Sequence, residues 1–236
     1  FNMSHDIRTP MNAIMGFSSL AEKYVNDPAR VADCLQKINL SGQYLLRPIN
    51  SVLDLAYIES GKMTLDIRAH DIPAMLKNVK YVFQADLQKK QLTLDVACDV
   101  QDPVAYFDAL KMNQIELNLI GNAIKYTPDG GHIRVTAGAG PDTAWMEVRD
   151  DGIGIPEKVR ERIFDRFYRV DKARSRESGG TGLGLSIVRE IVQRHHGTIS
   201  LVPHEGPGTT VRLELPITQP APGAPEDTAE STSDQQ

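Results

Sequence analysis

Apolar residues in the first sixty or so positions recur at intervals that alternate between three and four. This spacing places them along one stripe of a helix, as in helices packed in a bundle. Two such runs are separated by the turn-forming Asn26-Asp27-Pro28, in which Pro suits a first helical turn. The first run is Met3, Ile7, Met11, Ile14, Phe17 or Ser18, Ala21 and Val25, and the second is Leu35, Ile38, Gly42, Leu45, Ile49, Val52 and Ala56. The pattern predicts an antiparallel two-helix hairpin.

The predicted hairpin ends at Glu59-Ser60-Gly61-Lys62, where Gly61 can supply a helix C-cap. A single hairpin buries little apolar surface, so two hairpins of a homodimer are expected to pair into a four-helix bundle. Pro48 removes the helical hydrogen bond to the carbonyl of Tyr44, which predicts a kink in the second helix.

Beyond Gly61 the pattern changes to short strand-like runs that alternate with helical patterns. This mixture predicts an α+β sandwich with helices on one face of a sheet. The predicted strands are Leu65–Arg68, Leu92–Ala97, His132–Ala137, Ala144–Val148, Thr198–Val202 and Thr209–Leu215, and the predicted helices are Ile72–Gln88, Leu110–Tyr126 and Leu185–His195. The stretch Asp150–Gly184 has little regular pattern, and so long a loop in a compact domain is usually functional or disordered.

The last twenty residues, from Ile217, carry four acids and no Lys or Arg, and they have little to bury. They are predicted to form a disordered tail. The chain is thus divided into a helical hairpin (1–62), a sandwich domain (63–216) and a tail (217–236). Without the tail, the formal net charge of −5 over 236 residues becomes −1, which gives no electrostatic argument for binding nucleic acid.

Cys34 and Cys98 form neither a disulfide framework nor a metal-ligand pair. No apolar run approaches the roughly 18 residues of a membrane span.

Because the chain opens at Phe1 inside a helical pattern, we expect a cytoplasmic fragment of a longer protein. A sensor domain is expected upstream, where a membrane anchor could also lie.

A histidine with polar neighbours lies early in the first helical run, within Ser4–Pro10. An imidazole becomes nucleophilic when one nitrogen holds its proton against a carboxylate and the other is free, and Asp6 can supply that carboxylate to His5. Thr9 lies one helical turn from His5 on the same face. Taken alone, a histidine near a chain end is more often a solvated surface residue.

The predicted helix Leu110–Tyr126 carries amides and a lysine at intervals of four and three, on a different face from its apolar residues. The polar set is Asn118, Asn122 and Lys125, and the apolar set expected in the core is Leu117, Ile120 and Ile124. An Asn oxygen suits Mg²⁺ and a Lys suits phosphate. For this helix alone, a solvated polar face is an equally good interpretation.

Two glycine motifs flank the irregular stretch. Asp150 follows a predicted strand, and the glycines of Gly152–Gly154 would let a planar ligand approach the backbone closely. The Asp150 carboxylate could then accept a hydrogen bond from an amine such as that of adenine. An ordinary Asp-Gly turn is the alternative. The alternate glycines of Gly180–Gly184 lead into a helix, where backbone N–H groups can bind phosphate. They match neither a dinucleotide fingerprint nor a P-loop, so this signal alone is weak.

Between the glycine motifs, Glu157–Ser178 contains eight Lys or Arg against five acids. A net-positive segment between two glycine motifs is typical of a lid over polyphosphate, anchored here by Phe164 and Phe167. A solvated loop with an aromatic anchor is the alternative.

These motifs in this order resemble those of the sensor histidine kinases of two-component signalling, over about residues 1–216. The segment around His5 is similar to the H box and Asn118–Tyr126 to the N box. Asp150–Gly154 resembles the first glycine box, Phe164–Arg169 the F box and Gly180–Gly184 the second glycine box. The resemblance implies a dimerisation and phosphotransfer hairpin followed by a Bergerat-type ATP-binding domain, as in gyrase, Hsp90 and MutL.

The resemblance also implies a role for each matched residue, with ATP and Mg²⁺ as ligands. It assigns Mg²⁺ to Asn122, the phosphates to Lys125 and Arg169, and adenine to Asp150. The other implied nucleotide-site residues are Asn118, Tyr126, Gly152, Gly154, Ile155, Gly180, Thr181, Gly182, Leu183 and Gly184.

The implied mechanism begins with His5, oriented by Asp6, attacking the γ-phosphate of Mg-ATP. The phosphoryl group then passes to an aspartate in the receiver domain of a response regulator, and Thr9 positions water for its removal from that regulator. A gyrase- or MutL-like ATPase would instead carry a glutamate base where this chain has Asn118. A non-catalytic scaffold would lack nucleotide residues, and the balance of kinase and phosphatase activities stays open.

Overall fold

The structure is a computed structural model that describes residues 3–60, 63–100, 104–170, 182–204 and 206–218. Within these ranges, the side chains not described are those of residues 3–6, 47–48, 51, 55, 58–59 and 99. The chain begins with two helices, α1 (Met3–Lys23) and α2 (Pro28–Glu59), which pack against each other as the predicted hairpin. The Asp27 carboxylate accepts a hydrogen bond from the backbone N–H of Arg30 (3.2 Å), which closes the turn. The assigned helix runs without a break through Pro48, and the kink stays a prediction.

Apolar side chains of the hairpin remain largely half-buried or exposed. Cys34 is the buried residue among the described hairpin side chains, whereas Leu35, which the spacing placed in the seam, is 52% exposed. Met15 and Tyr57 are also more than half exposed. One hairpin therefore leaves a substantial apolar surface uncovered, in agreement with the expectation that a single hairpin buries little.

The second part of the chain is built on a five-stranded sheet in the order β2-β4-β5-β7-β6. Strands β2 and β4 are parallel, and the other neighbouring strands are antiparallel. A separate antiparallel pair joins β1 to β3. The strands are β1 (Arg68–Asp71), β2 (Thr93–Asp99), β3 (Val104–Phe107), β4 (His132–Ala139), β5 (Thr143–Asp150), β6 (Thr198–Leu201) and β7 (Thr209–Pro216).

Two longer helices, α6 (Ala109–Tyr126) and α7 (Gly184–Arg194), contact each other and the sheet. Their apolar faces join the alternating buried residues of β4, β5 and β7 in one core, so the predicted α+β sandwich is confirmed. Three short helices precede them, α3 (Ile72–Lys77), α4 (Val79–Val82) and α5 (Gln84–Lys89). Fully buried members of the core include Ile115, Ile120, Ile133, Val135 and Val188.

Three sequence predictions differ from the structure. The first strand is Arg68–Asp71 rather than Leu65–Arg68, because it pairs with Val104–Phe107, a strand that the pattern did not predict. The single helix predicted over Ile72–Gln88 is three helices that meet at Asn78 and Phe83.

The third difference concerns the core face of α6. Ile120 and Ile124 are buried as predicted, but Leu117 is 51% exposed. Leu117 faces the space between α6 and α2 rather than the sheet, since it lines a cleft with Leu53 and Tyr57.

The ends of the domains are only partly described. Strand β7 ends at Pro216, and residues 219–236 of the predicted tail lie outside the described residues. The division into 1–62, 63–216 and 217–236 stays a prediction. Among the described residues, no helix has the length and apolar character needed to cross a bilayer.

Candidate active site

Asp150, the last residue of β5, is a buried carboxylate with one oxygen held by the backbone. Its Oδ1 accepts hydrogen bonds from the N–H groups of Gly152 (2.9 Å) and Thr209 (3.2 Å). Burial raises the pKa of Asp150, and these two hydrogen bonds counteract that effect. Its Oδ2 accepts no hydrogen bond from the described residues, so it can accept one from a ligand amine.

Glycines allow the loop after β5 to pack tightly against its neighbours. A Cβ on Gly152 would lie 2.6 Å from the carbonyl oxygen of Tyr126, the last residue of α6. Gly154 has a φ of +71° and lies against Gly208, which has a φ of +103°. A Cβ on Gly208 would lie 1.8 Å from the carbonyl oxygen of Asp150. The half-buried Ile155 follows and accepts a hydrogen bond from Arg160 Nε through its carbonyl (3.2 Å).

The polar face of α6 presents amides with unused oxygens. Asn118 Nδ2 donates to the carbonyl of Gln114 (2.8 Å), which leaves its Oδ1 directed elsewhere. The half-buried Asn122 makes no side-chain hydrogen bond to the described residues. The Lys125 ammonium lies 5.1 Å from the centroid of the Tyr126 ring, at the end of the helix. A free amide oxygen and a nearby ammonium are groups that can bind a metal ion and a phosphate.

The start of α7 approaches α6 and the aromatic segment before the undescribed stretch. A Cβ on Gly184 would lie 2.7 Å from Asn118 Oδ1, and one on Gly182 would lie 2.9 Å from the carbonyl carbon of Phe167. Leu183 between them is fully buried, so its side chain serves packing, and a ligand could meet only its backbone. The half-buried Arg169 lies two residues beyond Phe167, and its buried Nη2 has no hydrogen-bond partner among the described residues.

The structure thus brings together four of the predicted motifs. Gly152 contacts the end of α6, Gly184 contacts Asn118, and Gly182 contacts Phe167 and Tyr168. The N box, both glycine boxes and the F box therefore share one region. Gly180 and Thr181 lie outside the described residues, as do the side chains of His5 and Asp6.

The hairpin part of the candidate site is described less fully. Helix α1 spans both His5 and Thr9, so the predicted separation of one turn holds, and the Thr9 side chain is exposed.

Two supports of α6 were not predicted from the sequence. At the C-terminal end of α6, Lys90 Nζ donates to the carbonyls of Ile124 (2.7 Å), Lys125 (3.4 Å) and Thr127. An ammonium there satisfies carbonyls left open by the helix and complements its dipole. No local pattern marks Lys90, because its partners lie more than thirty positions away.

The N-terminal end of α6 is held by a buried network. Asp108 caps the helix by accepting from the N–H groups of Leu110 and Lys111 (2.9 and 3.0 Å). Its own N–H donates to His195 Nε2 (3.0 Å), and His195 Nδ1 donates to the Ile191 carbonyl (2.8 Å). Burial lowers the pKa of His195, which keeps the ring neutral and able to accept at Nε2.

The residues present fit a metal-bound nucleotide triphosphate. The buried, unpartnered Nη2 of Arg169 suits an anion, and the free Oδ2 of Asp150 suits an amino group. Gly152, Gly182 and Gly184 allow the backbone and α6 to approach at distances that a Cβ would prevent. Asn122, whose side chain makes no hydrogen bond to the described residues, could hold Mg²⁺ on this face of α6.

Comparison with known proteins gives the same picture for both parts of the chain. Residues 107–219 match the family model described as histidine kinase-, DNA gyrase B- and HSP90-like ATPase, and residues 2–61 match the His Kinase A (phospho-acceptor) domain. The family model describes an ATPase, so the sandwich domain is an ATP-binding domain.

Two curated relatives cover nearly all of the chain. Sensor histidine kinase TmoS of Ectopseudomonas mendocina is 35% identical over 98% of this chain and 24% of TmoS. The autoinducer 2 sensor kinase/phosphatase LuxQ of Vibrio vulnificus is 34% identical over 91% of this chain and 26% of LuxQ. The chain therefore spans about a quarter of the length of these relatives.

A solved structure shares the arrangement of both parts. Histidine kinase ThkA, in complex with response regulator protein TrrA, matches with a TM-score of 0.65 and 26% identity over 91% of this chain and 60% of that chain. Together with both family models, this likeness confirms the resemblance stated from the motifs. The chain belongs to the sensor histidine kinases of two-component signalling.

Proposed function

We propose that this chain transfers the γ-phosphoryl group of Mg-ATP to His5 and then to an aspartate of a response regulator. The observation that supports it most is the set of close approaches at Gly152, Gly182 and Gly184, which gather the four nucleotide motifs. In the first step a ring nitrogen of His5 forms the N–P bond as the bond to the ADP oxygen breaks. In the second, the aspartate oxygen takes the phosphoryl group and His5 is restored.

Each residue of the candidate site has a distinct part in this proposal. Asp150 accepts from the adenine amino group, Arg169 and Lys125 bind phosphate oxygens, and Asn122 holds Mg²⁺. When bound, Mg²⁺ would neutralise negative charge on the phosphates. Asp6 orients the imidazole of His5.

Hydrolysis of ATP by activated water is the competing function within the same superfamily. Asn118 occupies the position one turn before Asn122 where such ATPases carry a glutamate base. The one acid within α6 is Glu116, which is 95% buried on the other side of the helix. An amide cannot take a proton from water, so the residues favour transfer to a histidine.

The decisive experiment is labelling with [γ-³²P]ATP. We expect an acid-labile, alkali-stable phosphoryl label on the full chain and none on His5→Gln, with nucleotide analogue binding unchanged. His132→Gln, which alters a half-buried histidine of the sandwich domain that pairs with Asp95, should label normally. Label that persists on the His5 variant would refute the assignment, as would steady release of phosphate without any labelled protein.

The partners of this activity are also proposals. The exposed apolar stripe of α1 and α2 supports a homodimer through the hairpin. The structure of ThkA with response regulator protein TrrA supports a response regulator as the acceptor, with its receiver domain as the proposed site. The sensor kinase/phosphatase LuxQ supports an accompanying phosphatase activity, for which Thr9 is the proposed residue. Membership of the same family supports the further proposals of an upstream sensor domain and a cytoplasmic position.

A further inference from the structure

A second cleft lies on the side of α6 away from the nucleotide residues. It has a volume of about 500 Å³ and lies between the end of β1, α3, α4 and α6. This volume falls in the range of small-molecule sites, about 300–1,000 Å³. Its apolar walls include Met75, Val82, Phe83 and Phe107. We name it the α3–α6 cleft.

Glu116 of α6 contributes a buried carboxylate to the α3–α6 cleft. It is 5% exposed, and its Oε1 is buried without a hydrogen-bond partner in the part of the chain that the structure describes. Buried carboxylates in folded proteins are normally paired or hydrogen-bonded. No described residue forms a hydrogen bond or an ion pair with the Glu116 carboxylate, and no described Lys or Arg lines the cleft.

The other polar groups of the cleft do not satisfy Glu116. Asp71 adds a second carboxylate and caps α3 by accepting from Ala74 N–H (2.7 Å). The His70 ring lies against Phe107, with the two centroids 4.9 Å apart. The cleft therefore combines apolar walls with a net negative lining at neutral pH.

From this cleft and its unpartnered carboxylate we propose that the α3–α6 cleft binds a small organic ammonium compound with an apolar body. The ammonium donates to Glu116, and the apolar part contacts Met75, Val82 and Phe83. An anion is excluded by the two carboxylates, and a purely apolar ligand would leave Glu116 unsatisfied. The site is separate from the nucleotide residues, and this inference stands independently of the proposed activity.

A matched pair of probes tests the inference on the full chain. Benzylamine and benzyl alcohol have the same size and differ in charge. In methyl NMR titrations, both should shift the Met75 and Val82 signals, and the amine should bind about ten-fold more tightly because its ammonium meets a carboxylate. Raising the pH from 6 to 8 should strengthen amine binding further, since Glu116 ionises over this range. The other titratable side chains that line the cleft are His70 and Asp71.

Three variants separate the site from general electrostatics. Glu116→Gln should weaken benzylamine binding about ten-fold, leave benzyl alcohol unchanged and abolish most of the pH effect. Ala74→Trp, at an exposed position of the cleft, should block both probes by filling it. Asp86→Asn, which removes an exposed carboxylate of α5, should change neither.

The inference fails if the amine and the alcohol bind equally, or if Glu116→Gln leaves amine affinity unchanged. It also fails if neither probe shifts the cleft methyl signals at 50 mM, a trial concentration on the order of the weakest fragment affinities. Shifts confined to the nucleotide region would count against it in the same way.

Discussion

Asp150 is fixed so that its two carboxylate oxygens have different roles. Oδ1 is occupied by the N–H groups of Gly152 and Thr209, and the described residues leave Oδ2 without a donor. Both N–H groups can only donate, so in an Asn variant the amide oxygen should keep the Oδ1 position. The amide nitrogen would then replace Oδ2 and present hydrogens to the adenine amino group.

Asp150→Asn should therefore weaken ATP binding about 100-fold, because an acceptor becomes a donor facing a donor. Isothermal titration with a non-hydrolysable analogue measures this directly. Asp151→Asn is the matched control, since Asp151 is exposed and accepts from the N–H of His132 (2.8 Å). Equal affinities for the Asp150 variant and the wild type would show that Asp150 does not contact the base.

Gly208 packs against the backbone carbonyl of Asp150, and substitution of this glycine tests whether that contact is needed. Gly208→Ala would place a Cβ against the carbonyl oxygen of Asp150, whereas Gly206 has a similar positive φ (+90°) and open space around it. Both Ala variants meet the left-handed strain of about 1 kcal/mol, but the Gly208 variant must also displace the backbone. We expect Gly208→Ala to lower the unfolding midpoint and nucleotide affinity well beyond Gly206→Ala. Equal losses in the two variants would exclude the contact as the cause.

Helix α6 connects the site to the rest of the domain through its two ends. Asp108 and His195 hold the N-terminal end, and Lys90 holds the C-terminal end. The amides and Lys125 lie between these supports, so their positions depend on Asp108, His195 and Lys90.

Lys90→Met tests the C-terminal support. The variant keeps the aliphatic stem and leaves three carbonyls without their donor, so we expect a loss of about 1–3 kcal/mol in unfolding free energy. Nucleotide affinity should fall as well, because Lys125 and Tyr126 lie on the last turn. Urea unfolding and analogue titration measure the two effects, with the exposed neighbour Lys89→Met as control. Lys90→Arg is expected to recover part of the unfolding free energy and of the nucleotide affinity. Values for Lys90→Met equal to those of the wild type would show that the Lys90 hydrogen bonds do not stabilise the end of α6.

The elements that the sequence predicted well are those with a strong local signal. The periodicity of α6 and the alternation of β4, β5 and β7 are local, so their positions agree with the structure within a few residues. Strand β3 (Val104–Phe107) is short and depends on pairing with β1, which no local pattern reveals. The candidate site was predictable as a set of ordered motifs, whereas Lys90 and Gly208 act through contacts distant in sequence.

At the scale of the whole molecule, buried titratable groups make stability depend on pH in opposite directions. Burial raises the pKa of Glu116 to about 7 and that of Asp150 in the same direction, and it lowers the pKa of His195. A lowered histidine pKa means that stability is lost as the pH falls through its unfolded value near 6.5. Raised carboxyl pKa values mean that stability is lost as the pH rises. The free energy of unfolding therefore decreases both when the pH falls, through His195, and when it rises, through Glu116 and Asp150.

Glu116 allows the alkaline side of this balance to be measured. Below its unfolded pKa of about 4.5 the carboxyl is neutral in both states, and its penalty grows as the pH rises through about 7, where the folded form ionises. Between pH 5 and 8 the wild type should lose up to about 3 kcal/mol relative to Glu116→Gln. Urea unfolding across this range gives the comparison, and the contributions of Asp150 and His195 cancel because both proteins contain them. Glu161→Gln, at an exposed position, should follow the wild type. Parallel curves for the wild type and Glu116→Gln would mean that Glu116 ionises in the folded protein as easily as in water.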